Sequence, residues 1–226
     1  TRAADAVPLH YPKRKPAMSQ DSSTRKGFNT RAIHHAYDPY AGHGSLNPPV
    51  YLSSTYSFPT VEDGAARFAG EAEGMTYSRL QNPTVQMLEE RIAMMEGAEA
   101  CRVQATGMAS MTAALLCQLS AGDHIVASSA LYGGTVTQLD VTLRRFGVDT
   151  TFVQSDDPAD FAAAIQDNTK LVFTEVVSNP SSAVADIAGL AEVAHAAGVP
   201  LIVDATTVTP FLCRPIEHGA DIVIHS

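Results

Sequence analysis

The run Pro200-Leu-Ile-Val-Asp-Ala-Thr206 closes an apolar, strand-like stretch with an acid, Asp204. A carboxylate at the end of a buried strand is costly to desolvate unless a cation meets it. The crevice outside the carboxyl ends of parallel strands is also where open α/β sheets bind ligands. A protonated pyridine nitrogen would suit such an acid. The alternative is an Asp that caps the next loop.

Other strings hold further candidates. Ala105-Thr-Gly-Met-Ala109 opens a helix, and its first-turn N–H groups could face a phosphate across Gly107. An ordinary N-cap at Thr106 is the competing reading. Tyr132-Gly-Gly-Thr135 lies between a strand and a helix. Tyr132 there could stack on a planar ring, with Gly133 and Gly134 giving it room, or could flank a simple turn. Asn179 of Ser178-Asn-Pro180 could donate its amide to a ligand oxygen, or form an Asx-turn before the proline. Tyr77 and Arg79, just before a helix start at Asn82-Pro-Thr84, could both reach one phosphate. No GxGxxG, GxxxxGK[ST], HExxH or GxSxG string is present, which argues against a dinucleotide fold, a P-loop, a zincin and a nucleophile elbow. The doubled His34-His35 reads as surface or packing, and no metal site is expected.

Positioning these residues requires a regular scaffold, and from about residue 60 the pattern supplies one. Val85, Leu88, Ile92 and Met95 recur at helical spacing over 84–96. Further helices are expected at 107–120, 135–146, 158–167 and 187–197. Strands are expected at 124–128, 150–154, 170–176, 200–204 and 221–225. Strands that alternate with helices and read as continuous apolar runs indicate an α/β parallel sheet covered on both faces. Residues 1–26, rich in Pro, Ser and charge, read as a loose arm. Residues 27–59 hold aromatics and prolines with no helix or strand period. Such a segment is expected to pack on another surface, such as a neighbouring subunit.

The 226 residues, 45% of them hydrophobic, suffice for a globular core. A net charge of −9 argues against nucleic-acid or anionic-membrane partners. Cys101, Cys117 and Cys213 are scattered with no CxxC, which disfavours a disulfide framework or a structural zinc site. Lys13, Arg14 and Lys15 have no apolar run behind them, so neither a signal peptide nor a membrane span is read, and a cytoplasmic location is expected.

Taken together, GFNTRAIHH (27–35), NPPVYLSSTYSF (47–58), YSRLQNPT (77–84), ATGMAS (105–110), LYGGT (131–135), SNP (178–180), VADI (184–187), VDATTVTP (203–210) and HGADIVIHS (218–226) resemble, in chain order, the Cys/Met-metabolism family of pyridoxal 5'-phosphate (PLP) enzymes. The resemblance implies the large domain of the aspartate aminotransferase fold (fold type I), preceded by an extended intersubunit arm over 1–59, with the PLP-binding α/β domain from 60 to 226. It assigns the cofactor phosphate to Gly107, Met108 and Ser226, and to Tyr77 and Arg79 acting on a neighbouring subunit's cofactor. Tyr132 would stack on the pyridine ring and move protons, Asp204 would keep the ring nitrogen protonated, Thr206 would support the pocket, and Asn179 would face the phenolic oxygen. A homotetramer built as a dimer of dimers follows from the same resemblance.

The family's cofactor-bearing lysine has no counterpart here. Lys13, Lys15 and Lys26 lie in the arm, and Lys170 stands at the amino end of its strand. In the family a Thr-Lys pair shortly follows the His-Ser of the last strand, so the chain is expected to be a fragment that lacks the lysine and a C-terminal domain. Were it the whole protein, it should be catalytically dead. The implied activity is γ-elimination from a sulfur amino acid, methionine or cystathionine, giving 2-oxobutanoate, ammonia and a thiol or cysteine. The alternative is γ-replacement on an O-acyl-homoserine, and a third reading is a non-catalytic scaffold. The subfamily signs conflict. Ala205 stands where the family reads Asn, Val177 where many members have Pro, and Gly134 where many methionine γ-lyases have Cys. AIHHAYDP (32–39) and FPTVEDGAARFAG (58–70) nevertheless look most like methionine γ-lyase.

Overall fold

The computed structural model describes residues 26–41 and 43–226, which form two compact units meeting in sequence at Arg91 and Ile92. The basic triplet Lys13-Arg14-Lys15 lies outside the described residues.

The first unit is held by polar caps more than by a core. Helix α1 (Phe28–His34) was not expected, because no apolar stripe marks it; none of its residues is buried. Helix α2 (Val61–Phe68) was also unforeseen. It begins at Thr60, whose hydroxyl accepts the Asp63 N–H at 3.1 Å. Asp63 and Arg67 pair along it at 2.8 Å. Helix α3 (Pro83–Glu96) starts within one residue of the expected position. Asn82 caps it: its Oδ1 accepts the N–H of Thr84 at 2.9 Å, while its amide donates to the Tyr51 carbonyl at 3.0 Å and the Ser78 hydroxyl at 3.1 Å. One buried side chain thus gathers the segment around 51, the turn at 78 and the helix start. Much of the apolar surface ahead of it stays uncovered within this unit, with Tyr40 92%, Leu46 86% and Leu52 90% exposed.

The second unit carries the sheet. Strands β1 (His124–Ser128), β2 (Asp149–Val153), β3 (Thr169–Glu175), β4 (Leu201–Asp204) and β5 (Ile222–Ile224) pair in the order β2-β1-β3-β4-β5, all parallel. Helix α4 (Gly107–Leu116) precedes β1, and α5 (Gly133–Thr137), α6 (Pro158–Ala164) and α7 (Ile187–Ala196) connect the strands that follow, with a short α8 (Thr209–Leu212) and a 3-10 turn at Pro215–His218 before β5. All five strands lie within a residue or two of the positions read from sequence.

Alternate strand residues point to opposite faces. Ile125, Ala127, Leu171, Phe173 and Ile202 join Met111 and Leu115 of α4 in one core. Val126, Val172, Leu201 and Val203 join Phe161 of α6 and Leu190 of α7 in the other. Because both faces are covered, the strands read as unbroken apolar runs. Each fully buried Leu or Phe contributes on the order of 1.5–3 kcal/mol.

The helix expected over 135–146 is three pieces. α5 passes into a π turn at Gln138–Thr142, then a 3-10 turn at Leu143–Phe146, and stops at Gly147 with φ 78°. Leu139 and Leu143 are still buried on one side, so hydrophobic spacing survives a change of helical pitch that periodicity does not reveal.

Candidate active site

The order β2-β1-β3 means that the chain winds to one side after β1 and to the other side after β3. Loops leaving the carboxyl ends of those strands therefore part, and a crevice opens between them. A cleft of about 350 Å³ lies there, lined by Gly107, Met108, Tyr132, Glu175, Asn179, Asp204, Thr206 and Ser226, with Met111, Val177 and Ile224 among its apolar walls.

Asp204, the last residue of β4, is half-buried, and its Oδ1 accepts the N–H of Thr206 at 2.9 Å. The loop-capping alternative is therefore real, yet it engages one carboxylate oxygen and leaves the side chain lining the cleft. Thr206 reaches on: its Oγ1 accepts the N–H of Ser226 at 2.9 Å, tying the loop after β4 to the end of β5.

Gly107 sits on the first turn of α4. Thr106 is its N-cap, accepting the Ala109 N–H at 3.1 Å, so here too a cap coexists with a place in the cleft wall. The N–H groups of Gly107 and Met108 precede the first intrahelical bonds and remain for a ligand. A Cβ at position 107 would run into the Ser226 side chain and come within 3.0 Å of its Cα. The glycine is required by that close approach. Beneath Ser226, the imidazole of His225 binds the carboxylate of the buried Glu96.

Tyr132 precedes α5 and is 52% exposed. A Cβ on Gly134 would stand 2.5 Å from the ring's Cε1, so Gly134 does make room for the tyrosine. Gly133 does not: a Cβ there meets nothing within 4 Å. Asn179 lies on the loop after β3 and lines the same cleft. Tyr77 and Arg79 belong to the first unit, where the Arg79 guanidinium lies over the Tyr77 ring at 4.6 Å from its centroid.

The sequence reading gave no role to Glu175. It ends β3, is 6% exposed, and pairs in register with Asp204. Its Oε1 accepts the Tyr132 N–H at 2.7 Å and its Oε2 the Asn179 N–H at 3.2 Å. Burial pushes its carboxyl above the usual glutamate value, and Asp204 adds to this, while the two N–H bonds oppose it. An acid inside the apolar run Lys170–Val176 was the available signal.

The cleft thus holds two chemistries. The Asp204 carboxylate suits a cationic group. A ten-residue helix start, a tight glycine and two hydroxyls suit a phosphate. A flat cationic ring bearing a phosphate fits both, with Tyr132 free to stack on it. Among the described residues, no group of three or more His, Cys, Asp or Glu could hold a metal, and no helix is long and apolar enough to cross a membrane.

Comparison with known proteins agrees with that chemistry. Residues 29–226 match the family described as "Cys/Met metabolism PLP-dependent enzyme", and the chain belongs to this family of PLP-dependent enzymes. It is 45% identical over 205 residues to the L-methionine gamma-lyase of Pseudomonas putida, covering 91% of this chain and 52% of that enzyme. It is equally 45% identical over 212 residues to the O-acetyl-L-homoserine sulfhydrylase of Corynebacterium glutamicum, covering 93% of this chain and 48% of that enzyme. A crystal structure of a putative O-acetylhomoserine (thiol)-lyase from Campylobacter jejuni, containing N'-pyridoxyl-lysine-5'-monophosphate, superposes with a TM-score of 0.84 at 38% identity, over 89% of this chain and 49% of that one. The chain spans about half the length of the relatives it matches. The fold and family expected from the motifs are those found.

Proposed function

We propose that the protein containing this chain is a PLP-dependent γ-lyase of sulfur amino acids, releasing a thiol or cysteine with 2-oxobutanoate and ammonia from methionine or cystathionine. The observation that carries the reading is the single cleft in which Asp204, Tyr132, Asn179, Thr206, Gly107, Met108 and Ser226 converge. When bound, PLP supplies an electron sink for the charge left as the substrate's α-proton departs. In this reading the Asp204 carboxylate holds a proton on the ring nitrogen and keeps that sink strong. Tyr132 covers the ring and moves protons at its phenolic oxygen. Asn179 donates to the ring's phenolic oxygen. Gly107, Met108 and Ser226 bind the phosphate, while Thr206 braces Ser226 through its N–H.

Residues 1–59 are proposed as an intersubunit arm and 60–226 as the cofactor domain. Tyr77 and Arg79 are proposed to serve the neighbouring subunit's phosphate in a cytoplasmic tetramer. The uncovered Tyr40, Leu46 and Leu52 support the arm reading.

γ-Replacement on an O-acyl-homoserine is the second reading, favoured by the equal identity to the sulfhydrylase. The same early proton transfers serve both reactions, which part when water or a sulfur nucleophile completes the turnover. Measuring 2-oxobutanoate from methionine and from cystathionine, against homocysteine from O-acetylhomoserine plus sulfide, separates them. The lyase reading predicts the ketoacid from a sulfur amino acid; homocysteine alone selects replacement. A folded protein that takes up no PLP selects the non-catalytic scaffold.

A further inference from the structure

Glu175 has no part in the roles just proposed, yet its placement is specific. It stands between two loops that leave different strands, one after β1 and one after β3. Each of its oxygens is committed to one loop, Oε1 to the Tyr132 N–H and Oε2 to the Asn179 N–H. Those are the residues placed against the cofactor ring. Tyr132 is half exposed, so packing does little to fix it. What fixes it is Gly134 at its edge and the carboxylate holding its backbone.

We propose that Glu175 is a positioning residue, whose paired oxygens clamp the Tyr132 and Asn179 loops together and set where the tyrosine ring stands in the cleft. This rests on the PLP reading of the site for the identity of the ligand. A carboxyl group at this reach offers an acceptor oxygen to each backbone donor, most strongly when ionised. A glutamine offers one acceptor and turns an NH₂ against the other N–H, so one loop must release. The titratable side chains facing Glu175 are Asp204, across the β3–β4 pairing, and the Tyr132 phenol in the same cleft.

The test compares the wild-type protein containing this chain with its Glu175→Gln and Glu175→Asp variants in PLP titrations followed by fluorescence and by circular dichroism in the cofactor's absorption band. Glu175→Gln is expected to weaken PLP binding about tenfold or more and to change the induced dichroism. Glu175→Asp keeps both acceptors and should recover part of each. A purely structural role would instead lower the melting temperature and leave the dichroism of bound cofactor unaltered, and wild-type affinity and dichroism in Glu175→Gln overturn the proposal. Should neither variant fold, the wild-type amide resonances of Tyr132 and Asn179 decide the clamp: they should follow one shared titration above the ordinary glutamate range, and independent behaviour refutes it. If the wild-type protein containing this chain takes up no PLP, the functional reading fails, and the same amide titration then judges the clamp alone.

Discussion

Asp204 keeps a partner within its own loop, the Thr206 N–H, so removing its carboxylate leaves one donor short and the sheet intact. Asp204→Ala is expected to lower turnover by about a thousandfold or more, roughly 4 kcal/mol of transition-state stabilisation, with the melting temperature nearly unchanged. Steady-state kinetics beside a thermal melt checks both halves. Gly107→Ala should act by displacement, since the new methyl strikes Ser226. PLP affinity is expected to fall about tenfold, ~1.4 kcal/mol, in a fluorescence titration. Glu175 makes stability depend on pH with a definite sign. Its folded-state pKa is raised, so between the ordinary value of 4.5 and the raised one the native state holds the extra proton, and stability falls as pH rises through that window. Urea unfolding across the window should show this slope in the wild type and lose it in Glu175→Gln. Residues that ended a strand or opened a helix, such as Asp204 and Gly107, were legible in sequence as cleft residues because their position alone puts them at the crevice. Glu175 was hidden inside an apolar run, and nothing local says that two distant loops will bring it their N–H groups.

At the scale of elements, the strands announced themselves because burial on both faces leaves no polar alternation to confuse them. The short helices α1, α2 and α8 did not: α1 and α8 bury no residue, α2 is started by the Thr60 cap and α8 by Pro at its first turn. Phe161, 1% exposed, pins α6 over one face of the sheet, and Phe161→Ala is expected to cost about 3–5 kcal/mol by chemical denaturation. The sheet has its own acid sensitivity at the start of β1. His124 is buried between the hydroxyls of Thr169, at 2.9 Å, and Thr151, at 2.8 Å. Burial lowers its pKa below 6.5, outweighing the opposing pull of Asp149. The unfolded chain therefore takes up a proton on acidification below 6.5 while the native His124 resists, and stability is lost in that direction. His124→Gln should flatten this part of the stability profile.

At the scale of the whole molecule, the family was legible because many strings, each ambiguous alone, fall in the order one fold requires. Lyase and replacement chemistry were not separable, since the chain is equally similar to a methionine gamma-lyase and to a sulfhydrylase. If Arg79 serves a neighbouring subunit, mixing Arg79→Ala and Asp204→Ala proteins, each nearly inactive, should restore activity through hybrids in which one site has both residues. Failure of mixed, subunit-exchanged samples to recover would place Arg79 in its own subunit's site. The meeting of Gly107 with Ser226, and of Glu96 with His225, joins the opening and the closing stretches of the second unit. The seat proposed for the ligand therefore cannot exist until β5 has docked, and cofactor capture during renaturation should trail recovery of helical signal instead of seeding it.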